Sequence, residues 1–367
     1  MGSCTTPSLR LGLRWLRHSA MAWTGPPSQR TAAGSSRKGT FTVTEQPDAA
    51  ASPDSPGSPD GDRLKELRSE LAGLQTEAAS PALSELDTMG TAELVAAMNE
   101  QNRGVPAAVE LASEQIAAVV DAVAERLTRG GRLLYVGAGT AGRLGVLDAS
   151  ECPPTFGTPP SLVVGIIAGG TQAIQKPVEY AEDNATAGAR DLHDISVTEA
   201  DAVVGISASG RTPYVIGALE EARSRGAFTA SLACNHDSPI SKLADVAIDV
   251  VVGPEFVAGS TRLKAGTAQK LVLNMISTLA MVKLGKTYGN LMVDLRATNN
   301  KLLARSQRTI QHATGVDAET AIRALDSVGG SVKAAIMVVL TGIDPAQAKT
   351  ALDEAGGFLR KAIEKHG

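Results

Sequence analysis

The stretch RLLYVGAGTAGRLG (residues 132–145) joins a short apolar run to a glycine-rich turn and then to the start of a helical pattern. Four similar apolar runs follow at residues 162–168, 202–207, 228–233 and 246–252. Each run is almost wholly apolar rather than alternating, as expected for strands that helices cover on both faces. The sequence therefore predicts an α/β fold built on a doubly wound, parallel five-stranded sheet.

Helical patterns flank the predicted sheet on both sides. Leucines at three-to-four spacing and a long apolar stripe that starts near Pro106 predict a helical segment over residues 63–124. The sheet and its helices then fill residues 125–288, ending with a strongly apolar helix that is either internal or part of a subunit contact. A small C-terminal module of three helices is expected over residues 300–367, because helix-start residues occur there at Asp317, Ser331 and Asp344.

The first 62 residues differ in composition from the rest of the chain. Residues 1–44 contain several arginines and no Asp or Glu, a composition shared by organellar transit peptides and by upstream sequence read from a wrongly chosen start. Residues 46–62 are a run of Pro, Ser, Asp and Gly that buries too little apolar surface to offset its ordering entropy. We expect residues 1–62 to be a disordered extension and linker.

The overall composition argues against several classes of binding partner. The net charge is −4, from 35 basic and 39 acidic residues, and 3% of residues are aromatic, which argues against a nucleic-acid surface. No apolar run approaches the roughly 18 residues that span a bilayer, so no membrane association is expected. Three widely spaced cysteines suit a reducing cytoplasm. The five histidines form no metal-ligand pattern, so we expect no metal.

Ligands of open parallel sheets bind beyond the carboxyl ends of the strands, so the loops at those ends are the first place to search for a site. The first loop contains G-x-G-x-x-G at Gly137, Gly139 and Gly142, which a dinucleotide site would also use. The second strand, however, ends in Ala-Gly-Gly-Thr at residues 168–171, without the acidic residue that would hold a ribose. The glycine pattern is therefore weak support for a dinucleotide.

The loop after the third strand, SASGRTP at residues 207–213, favours a single phosphate. Its hydroxyls at Ser207, Ser209 and Thr212 surround Gly210 just ahead of a predicted helix, where several donors and the helix dipole would meet an anion. The same residues would also form an ordinary helix start, with Thr212 or Ser209 as the N-cap and proline in the first turn. The two functions are compatible, and the hydroxyls beyond those needed for capping favour phosphate.

Carboxylates follow the first two strands. Glu151, in LDASECPPTFG, is predicted to lie where two prolines end the first helix, held by stiff backbone near the first glycine loop. Most glutamates are simply solvated surface residues. A negative charge at a helix C-terminus, however, opposes the helix dipole, which suggests that Glu151 has a function at this position. The helix predicted after the second strand carries further acids at Glu179, Glu182 and Asp183. Two carboxylates over one sugar would supply an acid and a base.

Together these loops resemble one known family. The stretches GAGTAGRLGVLDASECPPTFG, VGISASGRTPYVIGALEEAR, GSTRLKAGTAQKLVLNM and GNLMVDLRATNNKL are similar to those of N-acetylmuramic acid 6-phosphate etherases, and the resemblance covers about residues 76–365. It implies a sugar-isomerase-type (SIS) domain. It also implies a carbon–oxygen lyase of cell-wall sugar catabolism, which cleaves the C3 lactyl ether to give N-acetylglucosamine 6-phosphate and D-lactate without a cofactor.

The resemblance also implies roles for particular residues. The general acid of the family falls on Glu151, and its second essential carboxylate, the base at C2, falls on Glu182. An acid that works at neutral pH needs a raised pKa, so the resemblance implies partial burial of Glu151 beneath the prolines. Phosphate contacts fall on the SASGRTP loop, and further substrate contacts fall on Thr140, Ser260 and Lys264. A solvated lysine at a helix start would explain Lys264 equally well.

Two other functions share the implied fold. A sugar-phosphate isomerase would use the same phosphate loop and the same C2 proton abstraction, but it has no use for an acid at C3. A non-catalytic regulator would only bind sugar phosphate; the animal glucokinase regulatory protein, which resembles these etherases, has two SIS units where this chain has strands for one. The expected partner is a small sugar phosphate, and the apolar helix after the fifth strand predicts a homodimer.

Overall fold

The computed structural model describes residues 65, 68, 69, 71, 73–295 and 299–367. The predicted extension over residues 1–62 lies outside this part of the chain, as do two leucines of the predicted leucine pattern, Leu64 and Leu67. The described residues belong to one unit, Asp54–Gly367. The boundaries between the SIS-type domain and the helical segments on either side of it stay a prediction.

Five parallel strands form the central sheet, as predicted. The sheet order is β2-β1-β3-β4-β5, and the strands are β1 (Leu133–Gly137), β2 (Val163–Ile167), β3 (Ala202–Ile206), β4 (Phe228–Ala233) and β5 (Val246–Asp249). Every residue of β1 and β3 is buried, which is why their sequences are continuous apolar runs. The strand order reverses between β1 and β3, so a ligand is expected beyond the carboxyl ends of these two strands.

Helices cover both faces of the sheet. After two short 3₁₀ turns, Pro81–Leu83 and Leu86–Thr88, the helices of this part are α1 (Thr91–Glu110), α2 (Ser113–Thr128), α3 (Gly139–Phe156), α4 (Gln172–Gln175), α5 (Ala185–Asp194), α6 (Pro213–Ser224), α7 (Pro239–Leu243) and α8 (Lys264–Lys283). Successive side chains of β1 point to opposite faces of the sheet. Leu133 and Tyr135 join the core formed with α2, α3 and α8, whereas Leu134 and Val136 join the core formed with α5 and α6.

Two helix predictions are wrong in detail. Pro106 lies inside α1 rather than at the start of a long helix, and the apolar stripe after it is divided between α1 and α2. Helix α3 continues through Pro153 and Pro154 to Phe156, and Gly157 ends it with a φ of 64°. Each proline removes one backbone N–H from its helix, and packing of the two helices on the core outweighs that loss.

The C-terminal residues form five helices rather than the predicted three. They follow the hairpin β6 (Thr287–Tyr288) and β7 (Leu291–Met292) and are α9 (Asn300–Thr314), α10 (Ala318–Ser327), α11 (Val332–Thr341), α12 (Pro345–Glu354) and α13 (Leu359–His366). The three predicted start residues are the N-caps of α10, α11 and α12. The prediction missed α9 and α13, and α13 begins without a capping side chain that could have marked it. The five helices share a core of their own.

Among the described residues, no single helix has the length and apolar character needed to cross a membrane. The pair α10 and α11, bent by 114°, meets that test only when the two are taken together. Both helices contribute to the C-terminal core, where Leu325 and Ile336 are buried.

Asp201 ties the starts of β1 and β3 together. Its Oδ1 accepts hydrogen bonds from the Arg132 backbone N–H (2.9 Å) and Nε (3.0 Å), and its Oδ2 accepts from Arg132 Nη2 (2.7 Å) and the Thr198 N–H (2.9 Å). The Asp201 side chain is 2% exposed. Burial by itself would raise the pKa of Asp201, but the hydrogen bonds from Arg132 and Thr198 outweigh burial and leave that pKa lowered.

The substitution Asp201→Asn is expected to lower the free energy of unfolding by about 3 kcal/mol at neutral pH, because the new amide nitrogen faces donors. Since the folded pKa is lowered, this stabilisation is present above the ordinary aspartate pKa and is lost as the pH falls through the folded pKa. Urea titrations at neutral pH and in acid measure both effects, with the exposed Asp194→Asn as control. Equal unfolding free energies of variant and wild type at neutral pH would contradict the prediction.

Candidate active site

The hydroxyls of the SASGRTP loop come together at the carboxyl end of β3. Ser207 Oγ lies 2.7 Å from Thr212 Oγ1 and 3.3 Å from Ser209 Oγ, and it also accepts a hydrogen bond from the Gly210 N–H at 3.0 Å. These residues line a cavity of about 300 Å³ together with Thr140 of the first glycine loop. We call this cavity, with its wall of Thr140, Ser207, Ser209 and Thr212, the cradle.

The cradle hydroxyls do more than cap a helix. Thr212 is the N-cap residue of α6, but its side chain makes no capping hydrogen bond and bonds to Ser207 instead. The first amide of α6, at Tyr214, already donates to the Glu182 carbonyl oxygen at 3.0 Å. An anion in the cradle would therefore meet side-chain hydroxyls at the positive end of the α6 dipole, which agrees with the predicted phosphate site.

Gly210 is required by the geometry of the cradle. Its φ is +71°, and a Cβ added there would lie 2.3 Å from both Cβ and Oγ of Ser238. Gly210→Ala is therefore expected to displace the loop and to weaken the binding of inorganic phosphate by about tenfold or more. Calorimetric titration with phosphate measures the change. Gly342→Ala is the matched control, since Gly342 has a φ of +68° in open space within the C-terminal helices; an unchanged affinity in Gly210→Ala would contradict the assignment.

Glu182 stands at the cradle, although not on a helix as predicted. It lies in a turn between α4 and α5, because Asn184 caps α5 by accepting a hydrogen bond from the Ala187 N–H. The close approach of α5 to α6 depends on Gly188, where a Cβ would lie 1.9 Å from the Tyr214 carbonyl oxygen. The exposed side chain of Glu182 lines the cradle. Of the other two predicted acids, Glu179 lines a neighbouring cavity and Asp183 lines neither.

Three residues of the cradle wall were not anticipated from the sequence: Glu77, Thr261 and Gln269. Glu77 is held near the cradle because its neighbours bond to Asn235, whose Oδ1 accepts from the Gln75 N–H at 2.9 Å. No local pattern marks these positions. Two of the predicted contacts, Ser260 and Lys264, are not part of the wall. Lys264 is buried in the first turn of α8, where its Nζ donates to Gln101 Oε1 at 3.2 Å.

Glu151 lies in a second cavity. It is exposed near the C-terminal end of α3 and lines a space of about 470 Å³ with Asp148, Ser277 and residues of the β6–β7 hairpin. The expected partial burial beneath the prolines is absent, since α3 continues past them. Gly139, at the other end of α3, is part of the cradle, and at about 1.5 Å per residue Glu151 is roughly 18 Å from it along the helix. One chain therefore does not bring Glu151 and Glu182 into one cavity.

The wall behind Glu151 is polar and buried. Burial raises the pKa of Asp148, and the nearby hydroxyls of Ser277 and Tyr135 only partly offset that effect. Burial, with the charge of Asp148, also raises the pKa of the Cys152 thiol to about 12, so it is not a nucleophile at neutral pH. In the described part of the chain no group of three or more His, Cys, Asp or Glu side chains could hold a metal ion.

Comparison with known proteins identifies the family. The chain is 58% identical over 276 residues to the N-acetylmuramic acid 6-phosphate etherase of Streptomyces avermitilis, which covers 75% of this chain and 89% of that one. It is 60% identical over 270 residues to the protein of the same name from Rubrobacter xylanophilus, covering 74% and 90%. The chain belongs to the N-acetylmuramic acid 6-phosphate etherase family.

Two domain families match parts of this etherase-family chain. The glucokinase regulatory protein N-terminal SIS domain matches residues 115–223, and the SIS domain matches residues 172–279. The first match covers β1, β2 and β3, and the second covers β3, β4 and β5. Among solved structures, a phosphoheptose isomerase from Francisella tularensis overlaps 53% of this chain and 98% of its own at 18% identity, with a TM-score of 0.42.

Proposed function

We propose that this chain cleaves the D-lactyl ether at C3 of N-acetylmuramic acid 6-phosphate, giving N-acetylglucosamine 6-phosphate and D-lactate in peptidoglycan recycling. The observation that carries the proposal is the joint placement of the cradle hydroxyls and Glu182 in one cavity, in a chain nearly 60% identical to etherases. The phosphate would bind to Ser207, Ser209 and Thr212, with Thr140 beside them. This leaves the sugar carbons toward Glu182.

The chemistry needs one base and one acid. In the open-chain sugar, C2–H is α to the C1 aldehyde and the ether oxygen on C3 is β to it. We assign Glu182 as the base that removes the C2 proton and Glu151 as the acid that protonates the departing lactate oxygen, which breaks C3–O as C2=C3 forms. Water then adds to this double bond, with hydroxide at C3 and a proton at C2.

We infer that Glu151 reaches the cradle from a second copy of the chain. Within one chain the two carboxylates line different cavities, and Glu151 is roughly 18 Å along α3 from Gly139 of the cradle. In a dimer with a twofold axis, α3 and α8 of one copy can lie antiparallel to those of the other, so that the Glu151 end of one copy faces the cradle end of its mate. Each site would then contain Glu182 of one subunit and Glu151 of the other.

The surface of α8 supports this arrangement. Met275, Leu279 and Val282 are 39%, 44% and 44% exposed and recur at helical spacing along one face. Leu147 of α3 adds a further exposed apolar side chain, and Val282 also lines the Glu151 cavity. An apolar stripe of this kind beside a catalytic group is typical of a subunit contact, and a second copy is the occupant that also completes the site.

The experiment is an assay of D-lactate released from N-acetylmuramic acid 6-phosphate by the full chain. Release of D-lactate is expected. The unphosphorylated sugar is expected to react far more slowly, because it has no phosphate that the cradle could bind. An isomerase would convert sugar phosphates without releasing lactate. A regulator would bind the sugar phosphate without turnover. Either result would contradict the proposed function.

A further inference from the structure

Gln269 is a buried polar side chain whose amide nitrogen has no partner among the residues that the structure describes. It lies in the second turn of α8, is 1% exposed, and its Nε2 has no hydrogen-bond partner among the described residues. Buried amide groups in proteins nearly always have a partner, because an unpaired one costs folding free energy. Such a group at the wall of a ligand cavity indicates that the ligand supplies the acceptor.

Gln269 lies on a helix whose start packs against the cradle. The start of α8 approaches the first glycine loop at Gly266, where an added Cβ would lie 3.4 Å from Thr140 Cγ2. The α8 start is also held from outside, because the buried Glu255 carboxylate accepts from the N–H groups of Lys264 and Ala265 at 2.9 Å each. The helix that carries Gln269 is thus anchored at its start. Gln269 itself lines the same cavity as Glu182.

We propose that the Gln269 side-chain amide donates a hydrogen bond to the C1 oxygen of the open-chain sugar and stabilises the negative charge that forms there. This inference rests on the proposed function. When Glu182 takes the C2 proton, the C2–H electrons form C1=C2 and the C1 oxygen becomes an enolate; the enolate then re-forms the carbonyl as C2=C3 forms and the lactate oxygen leaves. The charge forms on an oxygen two bonds from the carbon that loses its proton, so its donor must share a cavity with Glu182.

Gln269 is the described wall residue whose side-chain donor is both buried and unpartnered. No lysine, arginine or histidine lines the cradle within the described part of one chain, so neutral donors must meet the enolate. The hydroxyls at Ser207, Ser209 and Thr212 face the phosphate end of the ligand. Among the described wall residues, Gln269 is the one with a side-chain amide. A fixed donor in a desolvated site stabilises a developing charge more than it stabilises the neutral carbonyl.

The test compares Gln269→Met with the wild type in D-lactate release. Methionine keeps the length of the side chain and removes the donor, so kcat is expected to fall by about 10²- to 10³-fold, while KM and the inhibition constant of inorganic phosphate change little. Gln115→Met, at an exposed glutamine of α2, is the matched control and is expected to retain the wild-type kcat. An unchanged kcat in Gln269→Met, or a loss confined to KM, would overturn the proposal.

A second variant separates catalysis from packing. Gln269→Glu has nearly the same shape but places a carboxylate beside the forming enolate. Its kcat is therefore expected to be at least as low as that of Gln269→Met at neutral pH. As the pH falls, the glutamate side chain gains a proton that it can donate, and kcat is expected to recover in part. If Gln269 only filled space, the glutamate variant would retain the wild-type rate. Failure of the wild type itself to release lactate would refute the proposed function instead.

Discussion

Replacing Glu182 by Gln is expected to lower kcat for D-lactate release by about 10²- to 10⁴-fold, the usual contribution of a general base. The amide keeps the shape of the side chain but cannot accept the C2 proton. Since the proposed phosphate contacts are other residues of the cradle, KM is expected to change little. Steady-state kinetics with N-acetylmuramic acid 6-phosphate measure both constants.

The control for this change is Glu179→Gln. Glu179 is also exposed, precedes Glu182 in the same turn segment and lines only the neighbouring cavity, so its variant is expected to keep nearly the full rate. Glu151→Gln is expected to lose activity to a similar degree as Glu182→Gln, because the lactate oxygen then leaves without a proton. A Glu182→Gln enzyme that releases lactate at the normal rate would show that another group is the base.

The substitution Leu279→Arg is expected to give a folded monomer that has lost activity about as fully as Glu151→Gln. The charged side chain would have to be desolvated in the subunit contact, whereas in a monomer it remains in water. Activity falls with the dimer because each cradle then lacks the Glu151 of its mate. Sedimentation velocity and the lactate assay on the same sample measure the two effects together.

Leu340→Arg is the matched control for that experiment. Leu340 is 39% exposed against 44% for Leu279, but it lies on α11 among the C-terminal helices. We expect this variant to remain dimeric and active. A monomeric Leu279→Arg with full activity would contradict the shared site, and a dimeric one would contradict the proposed contact surface.

The sheet and the cradle were predictable because their signals are local. Buried parallel strands must be continuous apolar runs, and the loop at residues 207–213 combines glycine, hydroxyls and a helix start within seven positions. The placement of Ser207, Ser209 and Thr212 together follows directly from that spacing. The N-caps at Asp317, Ser331 and Asp344 could be predicted for the same reason.

The separation of Glu151 from Glu182 could not be predicted from local sequence signals. The two prolines after Glu151 normally end a helix, yet α3 packs on the sheet and on α8 and persists to Phe156, which places Glu151 far from the cradle. Glu77 and Gln269 are far apart in the sequence and reach the cradle through tertiary packing, which leaves no short motif. A site divided between two copies also has no signature in the sequence of one.

The most direct test of the shared site is activity in a mixed dimer of two inactive variants. Co-expressing Glu151→Gln and Glu182→Gln chains with different affinity tags and purifying on both tags isolates the mixed dimer. If each site takes Glu182 from one subunit and Glu151 from the other, one of the two sites is intact, and the mixed dimer should have about half the activity of the wild-type dimer. If both carboxylates act within one chain, each site lacks one of them and the mixed dimer would be as inactive as its parents.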